Sequence, residues 1–233
     1  MRPHAIKLGE LALDLIFPKW CVGCGKRGDF ICLDCARHLP RIYGPLCPQC
    51  GRPQTSDMLC PGCVSRTLTI DGIRAPFRFE GTIRQAVYDI KYRNIRALSK
   101  PLSGLLHDYL LSDKLPADVL VPVPLHPKRL KERGYNQSAL LARDLSKYGG
   151  LPVVNDLLIR AKYTTPQAKT SSIGERLRNV AGAFACNGPA FRGVSVLLID
   201  DVATSGATLN AAAAALKSAG AATVWGLALA REI

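Results

Sequence analysis

The residues with the most chemical content form one run, Val196–Leu209, which reads VLLIDDVATSGATL. An apolar stretch ends in two adjacent carboxylates, and a loop of small and hydroxyl-bearing residues leads into an alanine-rich segment. Loops at the carboxyl ends of parallel strands form the binding crevice of an open α/β sheet. Backbone N–H groups and hydroxyls over Thr204–Thr208, at a helix N-terminus, make an anion site. Gly206 lets the backbone come close to a phosphate. Asp200 and Asp201 would accept hydrogen bonds from two sugar hydroxyls or help hold Mg2+. Two neighbouring acids at the end of a buried strand are costly without such a purpose, so an ordinary strand and helix start accounts for them poorly.

The second chemical feature is sulfur. Eight of the nine cysteines fall in four CxxC pairs, Cys21/Cys24, Cys32/Cys35, Cys47/Cys50 and Cys60/Cys63. Two intervening residues let both sulfurs of a tight turn reach one tetrahedral metal, and four pairs make two four-thiolate zinc sites. Gly25 and Gly51 follow a pair directly, where the turn favours a positive φ. Disulfides would need an exported chain. The opening MRPHAIKLGELALDLIF is no export signal, because Glu10 and Asp14 interrupt it and no small-residue cleavage site precedes Pro18. Joining neighbouring pairs closes short loops at low entropy cost and is preferred; the cross-braced alternative joins first with third and second with fourth. With every sulfur engaged, both metals would be structural, holding a segment too poor in large apolar groups to fold alone. Cys186, in AGAFACNG, reads as a small core residue.

Elements must position these groups. Residues 1–17 form an amphipathic helix with Leu8, Leu11, Leu15 and Ile16 on one face. Beyond about residue 70, strand and helix patterns alternate. Ile73–Phe79 reads as a strand that Pro76 confines to an edge. Thr82–Lys91, Ala97–Leu111, Asn136–Lys147 and Ser172–Asn179 read as helices, with Leu140, Leu141 and Leu145 on one side of the third. Asp118–Val123 is a short buried strand, and Val194–Ile199 has the unbroken apolar run of a central parallel strand. Ala207–Ala219 is a helix stopped by Gly220, and Ala222–Ala230 a last buried strand. The alternation predicts a parallel sheet with helices on both faces.

Composition bounds the partners. The chain has 233 residues, 48% of them hydrophobic, enough for one large domain or two modest ones and too many for wholesale disorder. No window of eighteen apolar residues is present, so no membrane span is expected, and a cytoplasmic location follows. Thirty-one basic against eighteen acidic side chains give a formal +13, and eight thiolates around two dications lower that by four. The excess lies beyond residue 71, where twenty-two basic residues face twelve acidic ones. An anionic partner suits this balance. Arg84, Lys91, Arg93, Arg96 and Lys100 form one basic run, and Lys128, Arg129, Lys131 and Arg133 another. Tyr88, Tyr92 and Tyr135 lie among them, as core residues or as platforms for stacked bases.

VLLIDDVATSGATL resembles the signature of type I phosphoribosyltransferases. VPVPLHPKRLKERGYNQS at 121–138 and RAKYTTPQAKTSSIGERLRNVAGAF at 160–184 are similar to the ComF family, competence-associated relatives of those enzymes. An apolar start, Phe17-Pro18 and four cysteine pairs complete the likeness across nearly the whole chain. The resemblance implies an α/β class fold, a type I phosphoribosyltransferase-like parallel sheet flanked by helices over 72–233, a double zinc ribbon over 18–66 and a separate helix over 1–17. It implies that Asp200 and Asp201 contact ribose hydroxyls while Ala203, Thr204, Ser205, Gly206, Ala207 and Thr208 cradle a 5′-phosphate. The turn after Val123-Pro124 would be the pyrophosphate loop, with Lys128, Arg129 and Arg133 as ligands that could equally be solvated charges. Tyr135 and Asn136 would orient that turn, and 160–178 would hood the site, with Gln167, Arg176 and Asn179 matching the family there. Two zinc ions, and Mg2+ with phosphoribosyl pyrophosphate, are the implied cofactors. Single-stranded DNA and a competence helicase are the implied partners, in natural transformation. The alternative is an active phosphoribosyltransferase using an acceptor the sequence does not name.

Overall fold

The computed structural model describes residues 18–162, 180, 182–188 and 191–233. The expected helices over 1–17 and Ser172–Asn179, and the hood residues Gln167, Arg176 and Asn179, lie outside the described residues.

The main sheet is all parallel, in the order β1 (Gly72–Arg74), β7 (Thr223–Arg231), β6 (Ser195–Ala203), β3 (Val119–Pro122), with β2 (Phe77–Arg78) also on β7. Two cores lie against it. Alternate residues of β6 serve each, because successive strand side chains point to opposite faces. Val196 and Leu198 join Leu209, Ala212, Ala213 and Leu216 of α7 (Ala207–Ser218). Leu197 and Ile199 join the helices of the other face, α3 (Gly81–Tyr92), α4 (Ser99–Ser112) and α6 (Gln137–Gly149). This is the expected parallel sheet covered on both sides. On α6, Leu141 and Leu145 are buried and Leu140 only partly so, one position out of phase with the buried stripe.

Three features depart from the sequence reading. β6 does not stop at the acidic pair but runs through it to Ala203, since β7 pairs with it as far as Ala203 opposite Arg231. The expected strand Ile73–Phe79 breaks into two short strands on either side of Ala75-Pro76. A small antiparallel ladder unread in the sequence, β4 (Leu158–Arg160) with β5 (Phe184–Cys186), lies against α7. Cys186 sits in it, half-buried against the core, as a small packing residue.

The cysteine-rich segment covers the sheet's outer edge with main-chain bonds. Ile73 N–H donates to Gln49 C=O, Arg78 N–H to Pro40 C=O, and Ile42 N–H to Pro76 C=O. An open parallel edge is a template for unwanted pairing, and here it is occupied.

Leu197 and its neighbours stand fully buried at the centre of both layers. Leu197→Ala should cost about 2–5 kcal/mol in urea unfolding, with zinc content unchanged.

Candidate functional site

The acidic pair is held from three elements. Asp200 and Asp201 are both buried at the end of β6. Ser138 Oγ, in the first turn of α6, donates to Asp200 Oδ1 at 3.1 Å, and the Asp201 N–H donates to the same oxygen at 2.9 Å. Lys91 Nζ, from α3, lies 2.7 Å from Asp201 Oδ2 as an ion pair without hydrogen-bond alignment. Burial, and then the Asp201 charge beside it, push the Asp200 carboxyl up to about 7, against the opposing pull of Lys91 and the hydrogen bonds. A cation on one acid and a proton on its neighbour let two carboxyls share a buried site.

Asn136 explains why Ser138 reaches the strand. Its Oδ1 accepts the Ser138 N–H at 3.0 Å, capping α6, and its Nδ2 donates to Val123 C=O at 3.0 Å. One side chain thereby ties the turn after β3 to the helix that supports Asp200, the orienting role expected of it.

Beyond that turn lies α5 (Pro127–Arg133), begun by Pro127 and capped by His126 Nδ1, which accepts the Lys128 N–H. Arg129 and Arg133 line a cleft of about 660 Å3 with Lys91, Tyr92, Asn94 and Glu132. Lys128 is exposed and not among the residues lining that cleft. Arg160, half-buried, is lowered from the usual guanidinium range by burial and then by the Arg129 charge, with Asp200 pulling the other way. Arg160 thus lies within electrostatic reach of Asp200 on one side and of Arg129 on the other.

After Ala203, buried as the last residue of β6, Thr204 and Ser205 are half-exposed and lead to Gly206. Gly206 has φ +78, and a Cβ there would meet Ile73 Cδ1 at 2.7 Å. The left-handed conformation favours glycine at this N-cap, and a Cβ would press on the tip of the Ile73 side chain. Among the described residues no side chain caps α7, and Ser205 Oγ accepts the Ala207 N–H at 3.3 Å. The first turn around Ala207 and Thr208 retains donors that suit an anion.

The three tyrosines separate. Tyr135 is 7% exposed, donates its hydroxyl to Ile90 C=O and lies under Arg96 with 4.4 Å from guanidinium carbon to ring centre, so it belongs to the packing. Tyr88 and Tyr92 are 49% and 67% exposed, one helical turn apart, with ring centres 5.0 Å apart and tilted by 47°. Arg93 stands over Tyr88 and Arg133 over Tyr92. Lys91 and Tyr92 line both the cleft above and a second one of about 640 Å3 that includes Arg84, Tyr88 and Arg93. The basic face therefore borders the acidic pair through Lys91.

The cysteines form the two sequential tetrads, Cys21, Cys24, Cys32, Cys35 and Cys47, Cys50, Cys60, Cys63, with all sulfurs of a tetrad within 4.8 Å of one another. Tetrahedral zinc with Zn–S of about 2.3 Å separates its sulfurs by about 3.8 Å, and Cys24–Cys32 and Cys50–Cys60 both stand at 3.6 Å. The two halves repeat one design. Cys21 and Cys47 N–H groups donate across their knuckles to Lys26 and Arg52 C=O, and Cys32 and Cys60 N–H groups donate to Cys21 and Cys47 Sγ. Gly25 and Gly51 have φ +72 and +70, as the knuckle turn requires. Despite burial, backbone N–H donors bring Cys21 and Cys47 down to about 6. Hydrogen bonding to Cys21, its crowded neighbour, drives Cys35 up to about 12. Four thiolates so close need a dication to ionise together, and two structural zinc ions fit the donor sets.

Sequence reasoning found the acids, the loop, the basic helix and the metal ligands. It placed Lys91 only in a basic run and Arg160 only at the start of a hood. It did not single out Ser138. No local spacing links any of these to residues 200–201, which lie many tens of positions away.

Comparison with known proteins agrees with this division. Residues 12–64 match the double zinc ribbon domain and residues 134–231 the phosphoribosyl transferase domain. The chain is similar to competence protein ComFC of Bacillus subtilis, 32% identical, covering 84% of this chain and 81% of that one. It is 30% identical to competence protein F of Haemophilus influenzae, covering 89% and 96%. It is 32% identical to the DNA utilization protein YhgH of Salmonella typhi, covering 83% and 87%.

Two outcomes follow from the geometry. All four cysteines of the second tetrad are buried, whereas Cys24 of the first is exposed, so zinc release to a chromogenic chelator should be biphasic, one ion per phase, the first site emptying sooner. Between about pH 4 and pH 7 folded Asp200 holds a proton that the unfolded chain has released, so its share of stability falls as pH rises through that window. Asp200→Asn should flatten that fall, seen as a smaller difference between urea midpoints at pH 5 and pH 8 than in the wild type.

Proposed function

The chain belongs to the ComF family of competence proteins, and on that premise we propose that it binds phosphoribosyl pyrophosphate, or a closely related phosphorylated ribose, and handles single-stranded DNA on an adjoining basic face. The observation that carries the first half is the acidic pair, Asp200 and Asp201, beside the uncapped first turn of α7. In this reading the carboxylates receive the ribose 2- and 3-hydroxyls, whose O–H donors take over from Lys91 at Asp201. Thr204, Ser205 and the N–H groups through Thr208 hold the 5′-phosphate. Arg129 and Arg133, on the helix after β3, serve the pyrophosphate, and Lys128 the solvent side of the same charge. Mg2+ would accompany the pyrophosphate, neutralising its charge, and the hard oxygens of Asp200 and Asp201 suit it. Thiolate tetrads and a strand-handling task fit a reducing cytoplasm.

The second half rests on Tyr88 and Tyr92, exposed among Arg84, Arg93 and Arg133. Stacking on such rings is worth about 1–3 kcal/mol per base. The relatives' names speak of competence and DNA utilization, which agrees with a nucleic-acid partner. Transfer of ribose 5-phosphate to an acceptor is the further chemistry such a site permits, with the cation-rich pocket favouring departure of pyrophosphate.

Calorimetric titration with phosphoribosyl pyrophosphate and Mg2+ tests the pocket. Asp200→Asn with Asp201→Asn should abolish binding, and unchanged affinity would overturn the assignment. Fluorescence anisotropy with an oligonucleotide tests the face. Tyr88→Ala with Tyr92→Ala should weaken binding at least fivefold and leave its steep salt dependence in place; absence of wild-type binding at low salt would remove the DNA reading.

A further inference from the structure

Arg231, the last residue of β7, is the largest fully buried side chain, with 1% of its surface exposed. Its Nε, Nη1 and Nη2 are all buried, and none has a hydrogen-bond partner among the described residues. A guanidinium left without acceptors in the interior is strongly unfavourable. Its surroundings are built for a ligand. Arg231 lines a cavity of about 280 Å3 between the second tetrad and the loop after β6, together with Arg52, Gln54 and Arg66 from the ribbon and Ser205 from the loop. Cys50, Cys60 and Cys63 form its floor.

The tetrad alone does not satisfy this group. Its sulfurs are committed to the metal, Cys47 Sγ also accepts the Cys60 N–H, and among the described residues no sulfur accepts a hydrogen bond from the guanidinium. Zinc held by four thiolates carries two net negative charges, and Arg52, Arg66 and Arg231 bring three positive ones. A positive surplus, a hydroxyl, an amide and an unanswered planar donor fork are what a tetrahedral oxyanion requires, and arginine answers phosphate with paired N–H bonds.

We propose that this cavity is a second phosphoryl-binding site, shared between the ribbon and the sheet domain and centred on Arg231. It takes inorganic phosphate or the terminal phosphate of a nucleic-acid strand. Neither Asp200 nor Asp201 lines it, so the site does not depend on the ribose reading. Ser205, in the loop after β6, lines this cavity as well. An oxyanion here would bridge the ribbon to that loop.

The test uses the zinc-loaded full chain and inorganic phosphate, followed by 31P line broadening. Wild type and the Asp200→Asn, Asp201→Asn double variant should bind phosphate alike. Arg231→Met should weaken binding at least tenfold. Because a buried arginine can be needed for folding, Arg52→Gln with Arg66→Gln, at half-buried ribbon positions, gives the same expected loss independently. A 5′-phosphorylated oligonucleotide that displaces phosphate where its 5′-hydroxyl counterpart does not identifies a strand end as the source; displacement by neither identifies free phosphate, and both support the site. Equal phosphate affinity in wild type and the two arginine variants would overturn it, as would zinc loss without phosphate loss in Arg231→Met, which makes the arginine a counter-ion of the tetrad. Phosphate binding lost only in the aspartate double variant would also overturn it, while leaving the ribose site standing.

Discussion

Two carboxyl groups side by side at the end of a central strand cannot both carry charge in a dry interior without help. Much of the surrounding structure answers that constraint. α3 contributes Lys91, α6 contributes Ser138, and Arg160 brings positive charge from β4. Asn136 then anchors α6 to the end of β3. The same arrangement sets the acids beside Lys91, at the border of the basic cleft.

Much of this was legible in the chain. The unbroken apolar run of β6 announced a strand buried on both faces, and four CxxC pairs at short intervals announced two tetrads. The acids, the Gly206 turn and the start of α7 stood together in one segment. The tyrosines were readable in principle. On α3, Ile83, Val87 and Ile90 set the buried phase, and Tyr88 and Tyr92 fall outside it one turn apart. Tyr135 sits just before a helix, where no such phase exists, and its burial follows from Ile90 and Arg96.

What was not legible depends on distance along the chain. Lys91 and Asp201 are brought together only by the sheet. The extension of β6 through Asp201 to Ala203 follows from the reach of β7, and the β4–β5 ladder unites two segments with weak patterns of their own. Gly206 reads as room for a phosphate, yet its missing Cβ faces Ile73; sequence identifies that glycine is needed before it identifies the side that needs it. Arg231 likewise looks like a surface charge, and it becomes interior where β7 lies between β2 and β6 and the ribbon closes over it.

The cysteine-rich segment completes the border of the parallel sheet with its own backbone, through Pro40, Ile42 and Gln49. The two modules are therefore not beads on a string. A sheet domain produced without its metal-bearing neighbour would carry a raw, adhesive flank and an arginine stripped of its enclosure.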